Sequence, residues 1–297
     1  MKILGKSIWK KKIEIPKIDP PKSHLAFVLL KTPSMPTSRQ IVQAFQEFAH
    51  PGEILSEVVE VEESEPQEED EPTALVLDLE GVGRAMIALL PTAIPNGEAQ
   101  EAFERSLASF SGEPTLEEHS AHLLVSIMGV DESTNPFHAL TAFSSLIAAV
   151  MRASDAIGVY WGNAGTTHPA DFIYDTLIGE DRESAQIMLW NGISRGAEPN
   201  GGVSFLSWGM GQLGLPNLYL KTSAEKANET FGWMFDLLSY VAQRGQPIGE
   251  GETVGGSETE RIVVTYGKSP ADGEQVVWIV DAMWPLAINS SLLRLCN

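Results

Sequence analysis

NPFHALTAFSSLIAAVMRA, residues 135–153, decides the fold. Asn135 stands before Pro136, a pairing that opens a helix, and the interior that follows is almost continuously apolar. A helix that is apolar all round has to be enclosed, so this one is predicted to be central and to link the two parts of the chain. Before it, AHLLVSIMGV (121–130) reads as a buried strand; after it, IGVYW (157–161) reads as another. The class that follows is α+β: two tandem α/β sandwich-like halves with mainly antiparallel sheets, helices packed on one face of each, and the central apolar helix between them.

Working outward, HLAFVLL (24–30) is a buried strand stopped by Pro33 and Pro36. Thr37 or Ser38 can cap a helix over 38–49 that places Ile41, Val42, Phe45 and Phe48 on one face. Residues 54–61 read as a strand, and TALVLDLE and RAMIALL around Gly81-Val82-Gly83 as a hairpin. A helix over 97–109 completes a split βαβ-like half. Beyond the central helix, GNAGTTHP (162–169) reads as a turn into a helix over 169–178, and QIMLW (186–190) and VSFLSWGM (203–210) as strands. NLYLKT follows, with Ser223 placed to cap a helix over 224–243 and Gly245 to stop it. GGSETERIVVTYG and EQVVWIVDAM supply two late, paired strands. The expected organisation is a basic flexible arm (1–22), an N-terminal half (23–132) and a C-terminal half (133–297).

Charge is uneven. The 297 residues hold 40 Asp plus Glu against 20 Lys plus Arg, a net of −20. Residues 1–22 carry seven lysines against Glu14 and Asp19, a net of +5, so the other 275 residues carry −25. Such a body repels phosphate, which argues against nucleic acid. It suits a basic protein partner. The arm interleaves Ile3, Leu4, Ile8 and Trp9 with lysines, a pattern open to contact with an anionic membrane surface or to docking on the body. It has no secretory h-region, and a cytoplasmic location is expected. Eight of the twelve positions from Glu60 to Glu71 are acidic and read as a solvated loop. The single cysteine, Cys296, excludes an internal disulfide framework and multi-cysteine metal sites. No cofactor is expected.

Candidate chemistry is sparse. His119 and His122, in EEHSAH, are the one histidine pair close in sequence; they are weak metal candidates, because a strand starting here sends side chains three residues apart to opposite faces. GVYWGNAGTTHPADF (158–172) is the most distinctive segment. A buried strand, a glycine-bearing turn and a helix start gather Tyr160, Trp161, Asn163, Thr166, Thr167, His168 and Asp171 into a candidate functional surface. The same glycines also suit a purely structural turn. The segment lacks the Gly-Lys-Ser/Thr of a P-loop. The glycine-rich loop GEGETVGGSETE places Glu250, Glu252, Glu258 and Glu260 as candidate acidic contacts for a basic partner.

AHLLVSIMG, IGVYWGNAGTTHPADF, WGMGQLGLP and GQPIGEGETVGGSETERIVV together resemble the bacterial family called domain of unknown function 4261, over roughly residues 120–266. The resemblance implies a bacterial, cytoplasmic α+β protein and transfers no catalytic residues. Families of this kind often accompany secreted polymorphic toxins, where small acidic proteins serve as immunity factors. The resulting expectation is a non-enzymatic protein-binding protein, in its most specific form an acidic immunity protein. The alternatives are an enzyme of unrecognised type using His168 with Asn163 and Asp171, or the His119 and His122 pair, and a peripheral membrane protein anchored by residues 1–22.

Overall fold

The computed structural model describes residues 15–58, 74–110, 116–131, 133–179, 181–255, 261–273 and 275–282. Residues 1–14 of the arm, the acidic run at 60–72, Glu258, Glu260 and Cys296 lie outside the described residues. Among the described residues the strands are β1 (Ser23–Leu30), β2 (Leu55–Glu57), β3 (Ala74–Leu79), β4 (Gly83–Leu90), β5 (Ala121–Met128), β6 (Gly158–Trp161), β7 (Thr166–Pro169), β8 (Gly192–Ala197), β9 (Gly202–Trp208), β10 (Leu218–Ser223), β11 (Thr253–Val254), β12 (Ile262–Lys268) and β13 (Val276–Asp281). The α-helices are α1 (Ser38–Phe48), α2 (Glu98–Phe103), α3 (Leu107–Phe110), α4 (Pro136–Ser154), α5 (Ala170–Ile178), α6 (Arg182–Ala185) and α7 (Ala227–Arg244).

The fold is α+β with two mainly antiparallel sheets. The first has the order β2-β3-β4-β5-β1-β6-β7 and is antiparallel throughout. The second has the order β11-β12-β13-β10-β9-β8 and contains one parallel pair, β10 with β13. Helix α4 is central, as its sequence requires. Asn135 caps it, its Oδ1 accepting from the Phe137 N–H at 2.9 Å, and Ala139 to Met151 are buried without interruption. It packs on α1, β1 and α5, and reaches the turn at 210–213 of the second half. Trp190 clasps it from that side: Nε1 donates to Ser144 Oγ at 2.8 Å, and the ring stands edge-on to Phe137. One apolar core therefore runs through α4 from sheet to sheet.

Helix α1 is fixed by a reciprocal cap. Thr37 Oγ1 accepts from the Gln40 N–H, and the Gln40 side chain accepts from the Thr37 N–H. Ile41, Phe45 and Phe48 then turn inward. Gly245 ends α7 in the left-handed conformation (φ 65°), as expected.

Five expectations need correction. The first sheet does not stop at residue 132. After α4 the chain returns to it, β6 pairing with the edge of β1 that β5 leaves open, so strands up to Pro169 belong to the N-terminal sheet. TTHP is strand β7 rather than turn, because β6 supplies a partner for its backbone. QIMLW forms a 3-10 turn over Gln186–Met188, not a strand; Ile187, Leu189 and Trp190 bury their side chains regardless. The helix over 97–109 is broken into α2 and α3 around Ser106, and α2 covers Tyr160 and Leu29 on the face opposite α1 and α4, so the first sheet carries helix on both faces. Finally, α7 starts at Ala227 behind a 3-10 turn, and Ser223 makes no side-chain cap.

Candidate functional site

The seven residues of 160–171 do not converge. His168 is fully buried in β7. Its Nε2 lies 3.1 Å from the Leu189 carbonyl, which can only accept, so that nitrogen carries the proton. Nδ1 is thereby left to accept from Ser106 Oγ at 2.8 Å. The ring also stacks on Phe172, and burial pushes its pKa down to about 4. Both nitrogens are occupied and no solvent reaches the pair, so His168 holds the β7 strand against α3 and the 186–190 turn rather than serving a substrate. Ser106, its partner, lies 62 residues away in sequence and carried no local signal. Thr166 and Thr167 are buried, and neither Oγ1 has a hydrogen-bond partner among the described residues. Asp171 is exposed on the first turn of α5.

Of the other three, Trp161 and Asn163 lie at the seam between the sheets, whereas Tyr160 packs under α2 on the other face of the first sheet. Trp161 is fully buried and donates Nε1 to Gln212 Oε1 at 3.0 Å. Gln212 in turn donates Nε2 to the carbonyls of Trp190 and Gly209. One buried amide thus ties the first sheet to the second. Gly209 makes the close approach possible: its φ is +123°, and a Cβ there would lie 2.1 Å from the Trp190 carbonyl oxygen. Asn163 is exposed at the tip of the β6–β7 hairpin, and its Oδ1 accepts from the Leu25 N–H at 2.9 Å.

Along this seam opens a cleft of about 520 Å³. Asn163, Ala164 and Gly165 form one wall, Trp208, Gly209 and Gly211 the facing one, with Arg105, Ser194, Asn217 and Gln275 around them. Arg105 donates Nε to the Gly165 carbonyl. Trp208 is held by Nε1 donating to Ser194 Oγ at 2.8 Å, and Asn217 by Oδ1 accepting from the Met210 N–H. Residues 15–22 run beside it without helix or strand, with the Ile18 carbonyl against Gly214 and Pro21 on the cleft rim. The WGMGQLGLP segment, one of those that carry the family resemblance, builds much of this site. Arg105 and Gln275 were not foreseen.

A second cleft, about 400 Å³, adjoins it through Asn163 and is lined by Phe27, Glu98, His122 and Tyr160. Tyr160 donates its hydroxyl to Glu98 Oε1 at 2.6 Å; burial and that carboxylate push its pKa up to about 12. His119 and His122 do not part to opposite faces. His119 lies before β5, so strand alternation does not apply to it, and both rings hold the segment at 92–94. His119 Nε2 accepts from the Ile94 N–H at 2.9 Å, and His122 Nδ1 donates to the Thr92 carbonyl at 2.7 Å. That spends His119 Nε2 on the backbone. Burial, then neighbouring His122, lowers the His119 pKa. Among the described residues no group of three or more potential ligands gathers for a metal.

Of the acidic candidates, Glu252 closes its own turn by accepting from the Gly249 N–H at 2.8 Å. Glu250 is half-buried near Tyr266, which donates to the Ile248 carbonyl.

Compared with known proteins, residues 206–280 match the model of a family described as Domain of unknown function (DUF4261). The match is partial and overlaps the C-terminal part of the resemblance read from the sequence, adding β13 to it. It takes in Trp208, Gly209, Gly211, Gln212, Asn217 and Gln275 of the seam. No curated protein and no solved structure matches the chain.

Proposed function

We propose that this is a non-catalytic, cytoplasmic binding protein whose partner is a basic protein, in its most specific form an acidic immunity protein that neutralises a secreted toxin. The observation that carries the reading is the outer face of the first sheet at β3, β4 and β5. Leu77, Leu79, Ala85, Ile87, Leu123, Val125 and Ile127 alternate into the core and are buried. The residues between them alternate to the other face in register: Ala74 with Ala88 and Leu124, Val76 with Met86 and Ser126, Asp78 with Arg84 and Met128; Ser126 is buried among its neighbours, and Val76 and Met128 are exposed on either side of it. Val76 is 41% exposed and Met128 46%. Helix α2 sits over β7 at the other end of the sheet, and among the described residues no helix is placed over this apolar patch. Patches of this kind mark interaction surfaces. Exposed Asp78 and Glu80 border it on a chain of net charge −20, which favours a basic partner and fast, salt-sensitive association.

The test is affinity capture from the source cell with the wild-type chain and with the double variant Val76→Asp, Met128→Asp. The wild type should retain a basic protein in stoichiometric amount, released as salt rises, and the variant should lose it. Co-expression with that protein should relieve any toxicity it causes. Recovery of the wild type alone, or of the same proteins by both forms, overturns the reading.

A further inference from the structure

The seam cleft carries a feature that a protein-binding role does not use. Arg105 spends only its Nε on the protein. Among the described residues its two terminal amino groups have no acceptor and the guanidinium has no ion pair. Glu98, the carboxylate of the adjoining cleft, takes the Tyr160 hydroxyl. Among the described residues no Asp or Glu lines the cleft itself.

The rest of the lining is suited to a small polar molecule. Asn163 uses its Oδ1 on Leu25, and among the described residues its amino group has no acceptor; Gln275, whose Oε1 accepts from Asn217, presents its side chain at the rim. Trp208 is fixed through its ring nitrogen with the indole half-exposed on the cleft wall, a surface on which a ring can stack. Gly165, Gly209 and Gly211 let a ligand approach the backbone closely. The volume, about 520 Å³, lies within the roughly 300 to 1,000 Å³ typical of small-molecule sites.

We propose that the cleft binds a small anionic ligand, an oxyanion carried on a hydroxylated ring, with the Arg105 fork on the oxyanion, the ring against Trp208 and the hydroxyls on Asn163 and Gln275. A planar guanidinium with both terminal groups free matches a carboxylate or a phosphate through two parallel hydrogen bonds. Sugar phosphates, nucleoside monophosphates and sugar acids share this chemistry. The site is independent of the open sheet face, so either assignment can fail alone.

The experiment is isothermal titration of the full chain with glucose 6-phosphate, adenosine monophosphate and glucuronate, using glucose and inorganic phosphate as comparators. At least one ring-bearing anion should bind more tightly than glucose and than phosphate, quench tryptophan fluorescence, and weaken as salt rises. Selective binding of glucuronate identifies a carboxylate ligand; selective binding of either phosphate ester identifies a phosphorylated one. Arg105→Lys keeps the charge and loses the fork, and should weaken binding about tenfold, the equivalent of one charge-assisted hydrogen bond. Gln275→Ala, at an exposed rim position, should weaken it several-fold with the fold intact. Absence of binding at millimolar concentration by all three anions overturns the proposal. So does equal binding of glucose, or unchanged affinity in both variants.

Discussion

Ser106 Oγ and His168 Nδ1 lie 2.8 Å apart in a pair that solvent does not reach, with the Leu189 carbonyl on the opposite ring nitrogen. The geometry is that of a serine–histidine dyad, yet its position between a strand and two turns makes it a fastening. His168→Ala removes a buried ring and strands the Ser106 hydroxyl and the Leu189 carbonyl, so it should cost about 3 to 5 kcal/mol of stability. Ser106→Ala should cost about 1 to 2 kcal/mol, because Nδ1 and the Ala108 N–H each lose a partner. Urea denaturation of the two variants measures both values. A near-neutral His168→Ala would show that the pair does not hold the fold.

Acid should destabilise the protein through two buried imidazoles. Burial lowers both His24, whose ring packs tilted against Phe143, and His168 to about 4, against about 6.5 for an exposed histidine. The unfolded chain therefore takes up these protons first as pH falls. The stability contributed by the neutral rings is complete above about 6.5 and is lost down to about 4, on the order of 3 kcal/mol for each group. The urea midpoint should fall steeply across that window, and His24→Leu should remove about half of the slope. An unchanged slope in that variant would show that His24 is not buried as a neutral ring.

The elements that were legible in the sequence are those whose side chains and backbone agree. HLAFVLL and AHLLVSIMGV are apolar runs bounded by Pro or Gly, and they pair with each other along β1 and β5 over their full length. Thr37 caps α1 because its hydroxyl and Gln40 sit three residues apart. Where burial alone was informative, shape was not: QIMLW is apolar enough for a strand and short enough for a 3-10 turn, and both bury Trp190. TTHP reads as a turn from its composition, and only β6, supplied after α4, makes it a strand. The site was legible in part. Asn163 and the 208–216 segment lie on it, but Arg105 and Gln275 come from distant parts of the chain and meet them only through tertiary packing.

Gly209 should tolerate no side chain. Its φ of +123° is unfavourable for an L residue, and the Cβ of alanine would meet the Trp190 carbonyl at 2.1 Å. Backbone on both sides of the seam has to move, so Gly209→Ala should cost more than about 3 kcal/mol. Gly211, a neighbour with nothing within 4 Å of its ideal Cβ, is the control and should accept alanine within about 1 kcal/mol. Thermal melts of the two variants decide the point, and equal effects would contradict the close approach.

Gln212 should be the polar residue on which the join between the sheets depends. It accepts from Trp161 Nε1 and donates to the Trp190 and Gly209 carbonyls while almost wholly buried. Gln212→Leu fills similar volume and strands a donor and two acceptors, at an expected cost of about 2 to 4 kcal/mol. Gln212→Glu keeps the acceptor for Trp161 and loses the donor, turning a carboxylate toward two carbonyl oxygens. It should destabilise more at neutral pH than at pH 4, measured against the wild type at each pH. The same cost at both pH values would mean that the carboxylate escapes to solvent.

At the alkaline end, the tyrosines give a readout of the same packing. Burial pushes Tyr160, Tyr174 and Tyr266 up to about 12, with Glu98 adding to the shift at Tyr160. Their folded values lie above the ordinary value of about 10, so the unfolded chain loses these protons first. The stability they contribute is complete below about 10 and lost as pH rises toward 12. Absorbance at the tyrosinate band should therefore show the three groups silent until the protein unfolds, then ionising together with the loss of native circular dichroism. Tyr160→Phe should remove one group from that late step and cost about 1 kcal/mol, since Glu98 is left to water rather than buried. A gradual titration of all five tyrosines near pH 10 in the folded protein would contradict the burial of these rings.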